Sequence, residues 1–227
     1  MKHLLTGLFN MTIGLLLTAL GIIITIKANI GYAPWEVFHV GLSNTIGLSF
    51  GITTIIVGIV IVIIVTLLGE KLGLGTILSM VLTGIFADII LIMNIIPIAE
   101  NLAIGVIMLI AGLFIISLGT YFYIKTAYGV GPRDNLMVVL ARKTKIPVGV
   151  CRIIVEFVVT VIGWLLGGMV GIGTIISVIA IGFCIQITFS LFKFDVTAVK
   201  HEAFDDTIKT LIGNQSVNSP KRSNSVD

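Results

Sequence analysis

The sequence predicts an all-α integral membrane protein: a six-span helical bundle made of two inverted-topology three-span repeats, each with a short interfacial or re-entrant helix. Three observations predict it. Hydrophobic residues are 57% of the 227 and charged residues only 11%, with mean hydropathy +1.16; a soluble domain carries about a quarter charged residues to solvate its surface. Apolar runs of span length recur, about 20 residues sufficing to cross roughly 30 Å of hydrocarbon. The second half of the chain also repeats the first at a constant offset.

The first run, residues 4–26, follows Lys2 and His3 and ends in "TIKAN". A signal peptide has a shorter apolar stretch and a small-residue cleavage site, so this run reads as a retained first span. A break follows, "KANIGYAPWEVF" over residues 27–38. Pro34 suits the first turn of a helix, and Trp35, Phe38 and Leu42 share one face of it. This helix is too short and too polar to span, so it lies at the interface or dips partway in. Residues 51–69, 73–96 and 102–124 are the second, third and fourth spans. Then "KTAYGVGPRDNL", residues 125–136, writes the same break again, and residues 148–167 and 171–192 complete the spans. Beyond Lys193 the chain turns polar. "HEAFDDTIKTLIG" reads as a brief amphipathic helix and the rest of residues 196–227 as a largely disordered cytoplasmic tail. Its basic residues suit an anchor at the membrane rather than a nucleic-acid contact. Cys151 and Cys184 sit within apolar runs and suggest neither a disulfide framework nor a metal site.

A shift of 98 residues carries Lys27, Gly31, Pro34 and Glu36 onto Lys125, Gly129, Pro132 and Asp134. Nine of the twelve glycines between residues 4 and 94 land on glycine with no gap. Apolar composition imitates leucine matches but not these, so the chain reads as a tandem duplication of residues 1–98 and 99–195. Three spans per copy is odd, so the second copy enters the membrane from the opposite side. With the N-terminus inside, the inner segments hold Lys2, Lys71, Lys125, Arg133, Arg142, Lys143, Lys145 and the tail, and the outer ones only Lys27. That bias places both termini in the cytoplasm, the first break outside and the second inside. Inverted repeats with interrupted helices are a recurrent transporter plan; the competing reading makes the breaks elbows that merely turn the chain.

The stretches "GYAPWEVFHVGLS", "GVGPRDNLMVVLA", "VCRIIVEFVVTVIGWLLGGMVGIGTI" and "IGFCIQ" resemble the YczE/YyaS/YitT family of bacterial membrane proteins, the YczE branch in particular. The similarity runs from the first span to Phe192. Ala33 and Glu36 stand where a serine and an aspartate are usual, and the carboxylate is kept. The resemblance implies a multipass protein of the bacterial plasma membrane and specifies no activity.

Ionisable groups inside spans cost roughly 2.5–3.5 kcal/mol on insertion scales and so mark functional candidates. Arg152 and Glu156, four apart, share a helix face and can pair; the plainer reading is a self-contained ion pair fixing the helix rotation. Asp88 has no partner in its own helix, and its repeat mate is the neutral Gln186. It reads as a proton- or cation-coupling carboxyl, as a partner for Arg152, or as a group near enough to the outer end to reach water. Glu36 and Asp134 sit two residues after a helix-starting proline, where a carboxylate offsets the helix dipole; the sharper reading has them gate a central site with Arg133. His39, beside Trp35 and Phe38, reads as the mark of an interfacial helix. The seven-residue spacing of Gly7, Gly14 and Gly21, repeated at Gly105, Gly112 and Gly119, reads as close helix packing.

Catalytic, nucleotide-binding and metal-binding motifs are missing from the sequence. The expected function is therefore a cofactor-free permease for a small solute or ion rather than an enzyme, with its site between the repeats. The alternative is a membrane scaffold or regulator supporting a biosynthetic or export system. The lipid bilayer and the solute are the expected partners, nucleic acid is not, and association of identical copies stays open.

Overall fold

A computed structural model describes residues 2–70, 73–129 and 131–194. The polar tail and its amphipathic stretch lie outside the described residues, as does Lys71. Eight helices follow in order among them: α1 (Lys2–Lys27), α2 (Pro34–Ile46), α3 (Phe50–Leu67), α4 (Leu74–Met93), α5 (Leu102–Ile124), α6 (Pro132–Thr144), α7 (Val148–Leu165) and α8 (Ile172–Leu191). Six of them, all but α2 and α6, are long and apolar enough to cross a membrane. The predicted spans and the two short helices are therefore all present.

The helix ends follow local chemistry. The Ser49 hydroxyl accepts the Ile52 amide at the start of α3, and Asn101 accepts that of Ile104 at the start of α5, each satisfying an orphan first-turn N–H. Proline opens α2 and α6, where its missing N–H costs nothing. Both are 13 residues long, about 20 Å at 1.5 Å per residue. The first turns of α2 lie inside the bundle, since Pro34, Trp35, Glu36, Val37 and His39 are all buried.

The 98-residue shift carries the bounds of α2, α3 and α4 onto those of α6, α7 and α8 at both ends. It also carries contacts onto contacts. The Gly173 amide donates to the Ile30 carbonyl at 2.7 Å, and its image is the bond from Gly75 to Tyr128 at 2.8 Å. Gly31 and Gly129, the break glycines, hold φ of +111° and +128°, a backbone that side-chain-bearing residues rarely adopt.

α1 and α5 form the central seam and run antiparallel. A Cβ on Gly14 would lie 2.7 Å from the Gly119 carbonyl oxygen, and one on Gly21 2.7 Å from that of Gly112. With no lipid-excluding drive between spans, such close backbone approach supplies much of the packing. α4 packs beside α1 and α8 beside α5, while α2 lies on α7 and α6 on α3. Here the halves differ. Gly41, Gly163 and Gly168 bring α2 against the α7 backbone, but the shifted positions are Val139, Val65 and Glu70. Val65 and Val139 pack in one apolar cluster, and Glu70 pairs with Arg142 at 2.6 Å. Side chains thus fill on one side what backbone contact closes on the other.

Candidate functional site

A cavity of about 420 Å³ opens among the helices, and each of the eight contributes to its wall. This volume falls in the range of small-molecule sites, about 300–1,000 Å³. The N-terminal turns of α2 and α6 both reach it, bringing Trp35 and Glu36 from one and Arg133 and Asp134 from the other.

Arg133 is the junction. Its guanidinium donates through Nη1 to Glu36 Oε1 at 3.2 Å and through Nη2 to His39 Nδ1 at 3.1 Å. The same group stands 4.9 Å from the centre of the Trp35 ring. A guanidinium has only donors, so Nδ1 accepts, the imidazole proton sits on Nε2 and His39 is neutral. Nε2 has no hydrogen-bond partner among the described residues, and the ring is buried. Glu36 is only 6% exposed; removed from water, its carboxylate needs the cation that Arg133 brings. Trp35 and Arg133 occupy equivalent positions under the 98-residue shift. Their stack, a cation over an indole face, therefore joins the two halves and contributes about 0.5–2 kcal/mol.

Three further charged groups line the cavity. Asp134 is exposed on its wall and accepts from the Tyr123 hydroxyl at a long 3.4 Å. Arg152 Nε donates to Glu156 Oε1 at 2.8 Å, one turn along α7. Removing one member of this pair leaves a charge on a membrane helix without its partner, so removing both is expected to be milder. Arg152→Ala and Glu156→Ala should each lower stability by about 1–2 kcal/mol, and the double variant by less than their sum. Thermal unfolding in detergent checks it; a double variant no better folded than either single would break the pairing.

The hydroxyls of the wall have a common orientation. Thr18, Thr54 and Thr120 each donate to the carbonyl four residues back, at 2.8–2.9 Å, as does Ser177 at 2.7 Å; Ser79 donates to Thr76 at 2.9 Å. Each hydroxyl has one proton, so its oxygen lone pairs remain for anything in the cavity.

Of the residues singled out in the sequence, Glu36, Arg133, Asp134, Arg152 and Glu156 come together on this wall. Asp88 does not line it. Its carboxylate accepts from the Ser49 hydroxyl and, at 2.7 Å, from the Gly51 amide, so it caps the start of α3. It is not the partner of Arg152, which Glu156 already engages. Gln186 is exposed on the outer side of α8, away from the cavity. Lys27 Nζ reaches Asn94 at 3.3 Å, and Lys125 Nζ reaches the Tyr121 hydroxyl at 3.2 Å; neither lysine lines the cavity. Gly31 and Gly129 shape the breaks, and Pro34 and Pro132 start the helices that enter the wall. His39 lies inside the bundle, 1% exposed, and on the cavity wall. Its spacing from Glu36 and Trp35, three and four residues on one helix face, was the available signal. Tyr123 was missed as well.

No solved structure matches the chain. Among curated proteins it is 33% identical to the "Uncharacterized membrane protein YczE" of Bacillus subtilis, over 76% of this chain and 80% of that protein. It is 30% identical to the "Uncharacterized protein YyaS" of the same organism, over 82% and 92%. An "Uncharacterized protein" of Haemophilus influenzae is 29% identical, over 77% and 82%. With these similarities and a family match running from residue 5 to residue 190, the chain belongs to the family of unknown function DUF6198.

Proposed function

We propose that the protein is a permease of the bacterial plasma membrane for a small solute or ion, working as two inverted halves around the cavity, without bound cofactor or covalent chemistry. The observation that carries this reading is the cavity itself, polar groups from both halves lining one space reached by every helix. A scaffold has no use for such a space and could be packed solid. The inverted arrangement draws support from the seam: α1 and α5 are equivalent under the shift, yet run antiparallel, as a two-fold axis in the membrane plane would require. The Arg133–Glu36 bridge then joins the first turn of α2 in one half to that of α6 in the other, where it can gate the site.

Topology follows from the same reading and has a direct test. Asn44 and Thr144 are both exposed near the ends of the short helices. With Cys151 and Cys184 replaced by serine, a cysteine at Asn44 is expected to react with an impermeant maleimide added outside intact cells. One at Thr144 should react only after the cytoplasmic face is opened. Labelling of both from the same side would end the inverted arrangement. The activity is tested by solute uptake and counterflow in reconstituted vesicles, screened by charge class. A protein that moves no class, and in which cysteines introduced at the cavity-lining Thr54 and Ser177 react from neither side, would be a scaffold.

A further inference from the structure

We infer that the cavity takes an organic monocation, a protonated amine carried on an apolar body; this rests on the permease reading and names its substrate class. Charge and hydrogen-bonding capacity point the same way. Among the described residues, three carboxylates line the cavity, Glu36, Asp134 and Glu156, against two guanidiniums, Arg133 and Arg152, and His39 is neutral. Glu36 and Glu156 are matched by the arginines that contact them. One negative charge is left, and it resides on Asp134. Its contact to Tyr123, at 3.4 Å, is too long to satisfy a carboxylate that can accept several short bonds.

The neutral polar groups add to this bias. The hydroxyls of Thr18, Thr54, Ser79, Thr120 and Ser177 have spent their protons on helix carbonyls. Tyr123 has spent its own on Asp134. What these groups present inward is lone pairs. Arg133 is tied to the wall by two of its five N–H donors, and its charge is matched by Glu36. An ammonium group, with donors and no acceptor, complements a wall of net negative charge whose hydroxyls present lone pairs. The rest of the wall, Ile22, Val57, Ile61, Met80, Leu113 and Ile185 among it, is apolar and suits a hydrocarbon or aromatic body.

Three probes on one scaffold separate the possibilities: 2-phenylethylammonium, the neutral 2-phenylethanol and the anionic 3-phenylpropionate. Their binding to the full-length purified protein is measured by calorimetry at neutral pH, beside Asp134→Asn and Glu70→Gln. The ammonium probe is expected to bind saturably and about tenfold or more tightly than the alcohol, with the anion weakest. Asp134→Asn, close in shape but unable to ionise, should erase that preference. Glu70→Gln, which removes a carboxylate outside the cavity, should keep it. Equal binding of amine and alcohol, preference for the anion, an Asp134→Asn protein that still selects the amine, or no amine binding at all would each overturn the assignment. Vesicle flux keeps the two readings apart. Transport of a neutral or anionic solute without amine binding sinks the cation class and leaves the permease. Asp134-dependent amine binding without flux of any solute keeps the site and removes the permease.

Discussion

Arg133→Ala is expected to destabilise the protein by about 3 kcal/mol, because it strands a carboxylate already taken out of water. Glu36 is buried and its cation comes from the other half of the chain. The same substitution removes the stack over Trp35 and the closer donor to His39 Nδ1, leaving that nitrogen only the Thr54 hydroxyl at 3.4 Å. Arg133→Lys keeps the charge but offers neither a planar fork nor a flat face for the indole, so it should recover only part of the loss. The informative variant is Arg133→Met combined with Glu36→Gln. Neutralising both partners removes the stranded charge, so stability should return toward the parent while vesicle flux does not, since the bridge between the halves is gone. Thermal unfolding in detergent reads the first effect and proteoliposome flux the second. An Arg133→Ala protein as stable as the parent would show that Glu36 needs no cation. Parental flux in the double variant would show that the bridge is no gate.

That junction was half legible in the sequence. The shift of 98 residues pairs Trp35 with Arg133 and Glu36 with Asp134, and the prolines announce that both helices start there. Hydrophobic runs and break residues placed the spans well, because length and apolarity are what a bilayer demands of a helix. Pairing across the repeats was not legible. Glu36 and Asp134 occupy equivalent positions, and nothing in their spacing says that one would meet an arginine and the other a tyrosine. Asp88 misled for a related reason: a lone carboxyl in an apolar helix suggests function, but Ser49 and Gly51, 39 and 37 residues earlier, arrive only through tertiary packing. Wall hydroxyls such as Thr54 and Ser177 were hidden in another way. A threonine or serine bonded to a carbonyl one turn back looks the same in sequence whether it faces a cavity, a neighbouring helix or lipid.

Glycine to alanine should change sign between equivalent positions of the two halves. Gly84 and Gly182 are 98 residues apart, in α4 and α8. A Cβ on Gly84 would stand 2.7 Å from the Gly51 carbonyl oxygen and 2.7 Å from Ile55 Cγ1, whereas one on Gly182 meets nothing within 4 Å. Gly84→Ala forces backbone apart and is expected to cost about 1–3 kcal/mol. Gly182→Ala adds helix propensity with no steric penalty and should be neutral or stabilising by up to about 1 kcal/mol. The central seam is sensitive to overpacking along its length. A Cβ on Gly119 would lie 2.5 Å from both the Gly14 carbonyl oxygen and Thr18 Oγ1, and one on Gly112 2.6 Å from Thr25 Cγ2 and 2.9 Å from the Gly21 carbonyl oxygen. These neighbours are mostly backbone or short side chains that cannot swing away, so Gly112→Val with Gly119→Val must separate α1 from α5. Two such insertions reach the scale of a domain's entire stability, about 5–15 kcal/mol, and the double variant is expected not to yield folded protein from the membrane. Monodispersity in detergent and the unfolding midpoint check the series. If Gly84→Ala and Gly182→Ala shift the midpoint alike, α4 is not held against α3 by backbone contact; if the seam variant melts like the parent, α1 and α5 are not held so either, and the support their antiparallel seam lends to two inverted halves goes with it.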